Sequence, residues 1–138
     1  MTPNGLNGGK AGFPEFHNVY VHKDNLAVYK KTGEWPEGTL WVKELQLTIK
    51  GDNADGSRTE VSGRGYFPGA MNGLDVMAKD SKRCADTQNW CFANFGHHAL
   101  RYEKVSAIMP TESCAACHIA SADKDLHFYH FYENLLKP

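Results

Sequence analysis

Thr39-Leu40-Trp41-Val42-Lys43-Glu44-Leu45-Gln46-Leu47-Thr48-Ile49 is the stretch that decides the fold. It is rich in aliphatic and aromatic residues. The turn Trp35-Pro36-Glu37-Gly38 precedes it, and the loop Gly51-Asp52-Asn53-Ala54-Asp55-Gly56-Ser57 follows it. Such a run between turn formers reads as a strand. Side chains alternate along a strand. Trp41, Lys43, Leu45, Leu47 and Ile49 therefore share one face, and Leu40, Val42, Glu44, Gln46 and Thr48 the other. Lys43 stands in the middle of the more apolar face. Burying an ammonium is costly and favours the neutral, nucleophilic amine. A lysine that snorkels past the sheet edge gives the same pattern, so both readings stay open.

Working outward, further strands are expected near 58–67, 73–79 and 89–95, with Gly and Pro between them. These short spacings favour an antiparallel sheet over βαβ units. In the middle one, Asp75, Met77 and Lys79 share a face opposite Leu74, Val76 and Ala78. Asp75 is either a solvated strand residue or a carboxylate turned toward a ligand. Asp24 to Gly33 reads as a short helix, with Asp24 as N-cap and Gly33 just past its end. Pro110 to Ala122 reads as a second helix, with Thr111 as N-cap and Glu112 in its first turn. Leu126 to Tyr132 is expected to be a strand packed beside it. Residues 1–13 are Gly/Asn/Lys-rich and read as a flexible arm. The rest, 14–138, is expected to be one α+β domain, a mainly antiparallel sheet with flanking helices.

A chain of 138 residues can bury a real core. Its 15 basic and 16 acidic side chains nearly cancel, which gives no case for nucleic acid or an anionic membrane surface. No run approaches the roughly 18 apolar residues that span a bilayer. The polar start, Met1-Thr2-Pro3-Asn4-Gly5, has no signal-peptide core, so any leader is expected to have been removed.

The four cysteines fall into two unlike pairs. Cys114-Ala115-Ala116-Cys117-His118 is C-x-x-C-H, the arrangement that attaches haem c. Two thiols one helical turn apart add to the two vinyl groups, and the adjacent imidazole binds iron. That makes Cys114 and Cys117 the attachment residues, His118 the iron ligand and 110–122 a C-terminal haem-attachment helix. A redox dithiol would be expected in a βαβ setting, which is missing. A zinc site would need a second ligand pair, for which only His127 and His130 offer themselves. Haem c is attached outside the bacterial cytoplasm, so the motif also implies a periplasmic protein. Cys84 and Cys91 bracket a short loop that a disulfide can close in an oxidising compartment. Two free buried thiols are the other reading.

Around this motif several segments form a series. They are Thr32-Gly33-Glu34-Trp35-Pro36-Glu37-Gly38-Thr39, Val42-Lys43-Glu44, Gly63-Arg64-Gly65-Tyr66-Phe67 and Asn72-Gly73-Leu74-Asp75-Val76-Met77-Ala78-Lys79-Asp80-Ser81-Lys82-Arg83. Lys124-Asp125-Leu126 and Phe131-Tyr132 complete it. From about residue 14 the chain resembles the cytochrome P460 family. The resemblance implies a mainly antiparallel homodimer with one haem c, whose iron is open on the side away from His118. It also implies a lysine amine bonded to a porphyrin meso carbon, and oxidation of hydroxylamine to nitrous oxide or nitrite. Lys43 maps to the crosslinking lysine, with Lys79 its rival. Asp75 maps to the distal acid, one methylene shorter than Glu. Arg64 is a candidate for stabilising an anionic intermediate or for a structural surface role. Electrons would pass to an external acceptor such as a small cytochrome c.

Two other readings remain. The related cytochrome c′-β shares the fold without the crosslink and binds nitric oxide in an aromatic pocket, to which Phe13, Phe16, Phe67, Phe92 or Phe95 would contribute. A plain electron-transfer cytochrome would use Met71, Met77 or Met109 as sixth ligand.

Overall fold

A computed structural model describes residues 15–97 and 101–137. The arm expected over 1–13, and Phe13 with it, lie outside the described residues. The chain forms a four-stranded antiparallel sheet in the order β1-β2-β5-β6, from β1 (Glu15–Val21), β2 (Leu40–Thr48), β5 (Pro68–Lys79) and β6 (Trp90–His97). The stretch expected as one strand over 58–67 is instead a two-stranded hairpin, β3 (Arg58–Glu60) and β4 (Gly63–Gly65). The helices are α1 (Lys23–Thr32), α2 (Cys114–Ser121) and the single turn α3 (Glu133–Leu136). The α+β architecture, mainly antiparallel sheet with flanking helices, is the one expected.

β2 sits between two partners because its whole length is apolar or amphipathic. Val19 pairs with Lys43, and Lys43 with Asp75. Residues opposite one another on antiparallel strands point to the same face. The inner face thus carries Val19 and Val21, then Trp41, Lys43 and Leu45, then Asp75, Met77 and Lys79, then Trp90 and Phe92. Trp41, Met77, Trp90 and Phe92 form a buried cluster with Tyr29 of α1, Trp35, Ala115 of α2, Leu126 and Leu136. Tyr20 and Leu40, on the other face, are exposed.

Three local expectations need correcting. The N-cap of α1 is His22, whose side chain accepts the Asp24 N–H. Asp24 is the second residue of the helix, where its charge suits the positive end of the helix dipole. Gly33 ends the helix as expected, at φ 78, with its N–H on the Tyr29 carbonyl. The haem-motif helix starts at Cys114, not at Pro110. Residues 110–113 form a turn in which the Ser113 N–H reaches the Pro110 carbonyl, and Ser113 replaces Thr111 at the cap. Leu126 to Tyr132 is no strand: Asp125 and Leu126 both have positive φ, and Tyr129–Phe131 is a 3-10 turn.

Cys84 and Cys91 are joined by a disulfide. It closes the turn between β5 and β6 beneath Trp90, which is fully buried. Chain-entropy arithmetic for so short a loop gives a stabilisation of about 2–3 kcal/mol. The Cys84→Ser/Cys91→Ser double variant should therefore unfold at lower denaturant, with about that loss. Thiol titration of the denatured, unreduced haem-loaded protein should find no free thiol, and finding two would contradict the bridge.

Candidate functional site

The register that makes the sheet also assembles the site. On the inner face between β2 and β5 the rung of Lys43 opposite Asp75 lies between two buried ones, Trp41 opposite Met77 and Leu45 opposite Gly73. The Lys43 Nζ lies 3.0 Å from Asp75 Oδ2. Lys43 does lie on the apolar face, but it is not buried. Its side chain keeps 38 % of its exposure and its ammonium is ion-paired. Asp75 is more enclosed, at 22 %. It also accepts from Asn94 Nδ2 at 2.6 Å, and His97 Nε2 lies 3.3 Å from the same oxygen, Oδ1. Burial works to raise the Asp75 carboxyl, yet Lys43, Asn94 and His97 together outweigh it and hold the group below the ordinary carboxylate value.

α2 brings the haem motif to the same face. Ala115 points into the core, which leaves Cys114 half-buried and Cys117 exposed, both as free thiols. Residues three apart lie on one side of a helix. Burial and the Asp75 charge raise the Cys114 thiol, while Lys43 opposes them. Burial likewise lowers His118, with Lys43 adding to the effect and the Leu126 carbonyl and Asp75 opposing it. Lys43 and Asp75 are thus near enough to bias both residues of the motif.

The imidazole of His118 is fixed on three sides. Its Nδ1 donates to the Leu126 carbonyl at 2.7 Å, and the Phe92 and Phe128 rings flank it at 4.8 and 5.1 Å. A backbone carbonyl on Nδ1 leaves the lone pair on Nε2, the usual arrangement of a metal-ligating histidine. Positive φ at Asp125 and Leu126 turns that carbonyl back toward α2. Two free thiols one turn apart, followed by an imidazole held in its ligating tautomer, fit haem c. Cys114 and Cys117 would hold the group and His118 would bind its iron.

A family model, Cytochrome P460, matches residues 3–129. The chain belongs to the cytochrome P460 family. Membership makes it a haem c cytochrome, with iron as its metal. No curated protein matches the chain.

The other sequence candidates separate on geometry. Lys79 donates to the Trp35 carbonyl at 2.7 Å and lies over the Trp90 ring, so its amine is engaged in the core wall. Arg64 is held in the β3–β4 hairpin by Asp55 and the Ser57 hydroxyl, and the structure does not bring it to the motif. His127 is buried among Trp35, Trp41 and Trp90, and burial pushes it down to about 4. His130 instead pairs with Asp123. Among the described residues no three His, Cys, Asp or Glu side chains gather at metal-binding geometry, which removes support for the zinc alternative. Met77 is core and Met109 packs against it, an ordinary role for methionine. No described helix is long and apolar enough to cross a membrane.

Sequence reasoning missed Asn94, His97, Phe128 and the Leu126 carbonyl. Only Gly96, beside His97, hinted at an irregular strand.

The sign of the Asp75 shift gives a pH test. Its folded value is lowered, so its contribution to stability is complete above about pH 4 and is lost as pH falls through the folded value. The pair is partly solvent-screened, so Asp75→Asn should cost about 1 kcal/mol or less at pH 7. Urea unfolding at pH 7 and at pH 3 should show that gap closing in acid. A gap of the same size at both would contradict the pairing.

Proposed function

We propose that the protein oxidises hydroxylamine, to nitrous oxide or nitrite, at a haem c that Lys43 bonds as a third attachment. The observation that carries this reading is the Lys43–Asp75 rung on the sheet face that also receives Cys114 and His118. When bound, the haem would supply an iron that accepts electrons from substrate and passes them to an external one-electron acceptor, such as a small cytochrome c.

The chain's own residues supply the rest. Oxidation of hydroxylamine releases protons as well as electrons. Asp75 is ionised at neutral pH and is enclosed beside the motif, so it is placed to accept them. The free Lys43 ammonium pairs with Asp75 and is held by it on the face that receives the motif; bonding to the porphyrin gives up that charge, and Asp75 is then left to accept protons. Of the two candidate lysines, Lys43 alone has its amine directed at an acid of the site. A periplasmic location and a homodimer belong to the same proposal, resting on the haem motif and on the family.

Lys43→Ala tests it. The variant should still attach haem through both cysteines. It should lose the red-shifted ferrous Soret band that gives the family its name, and its hydroxylamine turnover should fall by about 100-fold or more, the lower range for removing one catalytic group. An unchanged spectrum and turnover would refute Lys43's part. A wild-type protein with an ordinary haem c spectrum, nitric oxide binding and no hydroxylamine turnover would be a cytochrome c′-β-like binder.

A further inference from the structure

Strand β6 carries one residue more than its partner. Gly73 pairs with His97 and Asp75 with Asn94, so two steps along β5 match three along β6. On a regular strand Asn94 and His97, three apart, would point to opposite faces. The bulge at Phe95–Gly96 restores the phase. Gly96 adopts φ 140 there, and its N–H bonds Asn94 Oδ1 at 3.1 Å. Both side chains consequently arrive at the same atom, Asp75 Oδ1. The imidazole lies across Gly73, where an added Cβ would come within 2.8 Å of His97 Cδ2. Lys43 holds the other oxygen, Oδ2. Asp75 thus faces the haem motif and Lys43 on one side, and on the other a histidine whose side chain is 47 % exposed.

We propose that His97 is the proton exit of this site: a proton accepted by Asp75 passes from Oδ1 to His97 Nε2 and leaves the imidazole for bulk water. This rests on the hydroxylamine reading. In the first transfer the O–H bond of the carboxylic acid breaks, its electron pair stays on Oδ1, and an N–H bond forms at the Nε2 lone pair of the neutral imidazole, whose hydrogen is then on Nδ1. In the second, water takes the proton. Neither residue is oxidised or reduced, and the electrons go to the external acceptor. Among the described residues, the titratable groups that bear on Asp75 are Lys43 from β2, His97 from β6, and Cys114 and His118 from α2. Of these, His97 is the imidazole that both touches Asp75 and reaches water, and an imidazole has two nitrogens that can each take up or release a proton. Asn94 steadies Oδ1 but has no exchangeable charge state. His97 therefore acts through Asp75 as a positioning and relay residue.

His97→Gln keeps an amide that can hydrogen-bond Oδ1 and removes the group that can take up and release a proton. In the haem-loaded protein, kcat for hydroxylamine in dilute buffer should fall about tenfold or more, with KM within about twofold. Raising the concentration of a small proton carrier such as phosphate should restore the rate, which a merely structural defect would not allow. A variant that turns over at the wild-type rate, or a loss that phosphate does not repair, would overturn the proposal. A second readout does not need turnover. His97 helps hold Asp75 down, so the carboxyl followed by carbon NMR in aspartate-labelled protein should titrate at higher pH in His97→Gln. If wild type fails to oxidise hydroxylamine, the functional reading falls and this titration decides alone. An upward move keeps the His97–Asp75 contact that the relay needs, and no move removes the relay.

Discussion

The cross-strand rung between Lys43 and Asp75 is the constraint on which the rest of this structure turns. It is one step beyond Trp41 and Met77, where the aromatic core ends. At that boundary a charge pair is neither fully solvated nor fully buried. An ammonium alone there would lose hydration without compensation. Paired at 3.0 Å with an enclosed carboxylate, it is tolerated and held in one place. The sheet supplies the precision, because the register that seats Trp41 on Met77 also seats Lys43 on Asp75.

The haem motif reaches the same boundary from the other side. Ala115 anchors α2 in the core, and the disposition of Cys114, Cys117 and His118 follows from its turn. Leu126 then joins the two halves. Its side chain is buried in the core while its carbonyl fixes the His118 ring. Core packing, imidazole tautomer and the Lys43–Asp75 pair are therefore linked through a few contacts. A change in any of them would reach the His118 imidazole, through the Leu126 carbonyl or through the charges of Lys43 and Asp75.

Much of this was legible in the sequence, for identifiable reasons. β2 was readable because its pattern is long, its composition is β-forming and both ends carry turn residues. That alternation also singled out Lys43, and C-A-A-C-H carried its own chemistry. β1 was not readable, because Glu15-Phe16-His17-Asn18-Val19-Tyr20-Val21 is a weakly patterned edge strand whose existence is decided by pairing with β2. The expected strand over 126–132 failed because two consecutive residues with positive φ break extension, and nothing in Asp125-Leu126 announces that conformation. The start of α2 slipped because Thr111 and Ser113 are both good caps, and Pro110 favours a turn first. Asn94 and His97 could not be placed together, since strict alternation separates them and the bulge that unites them is a tertiary feature.

The most direct test of the central claim is proteolytic mapping of the haem-loaded protein, with each haem-bearing fragment identified by mass. The account predicts one haem-bearing product that contains Cys114 to His118 together with the segment around Lys43, joined through the porphyrin. A haem peptide with the 114–118 segment alone, or one joined to Lys79, would contradict it.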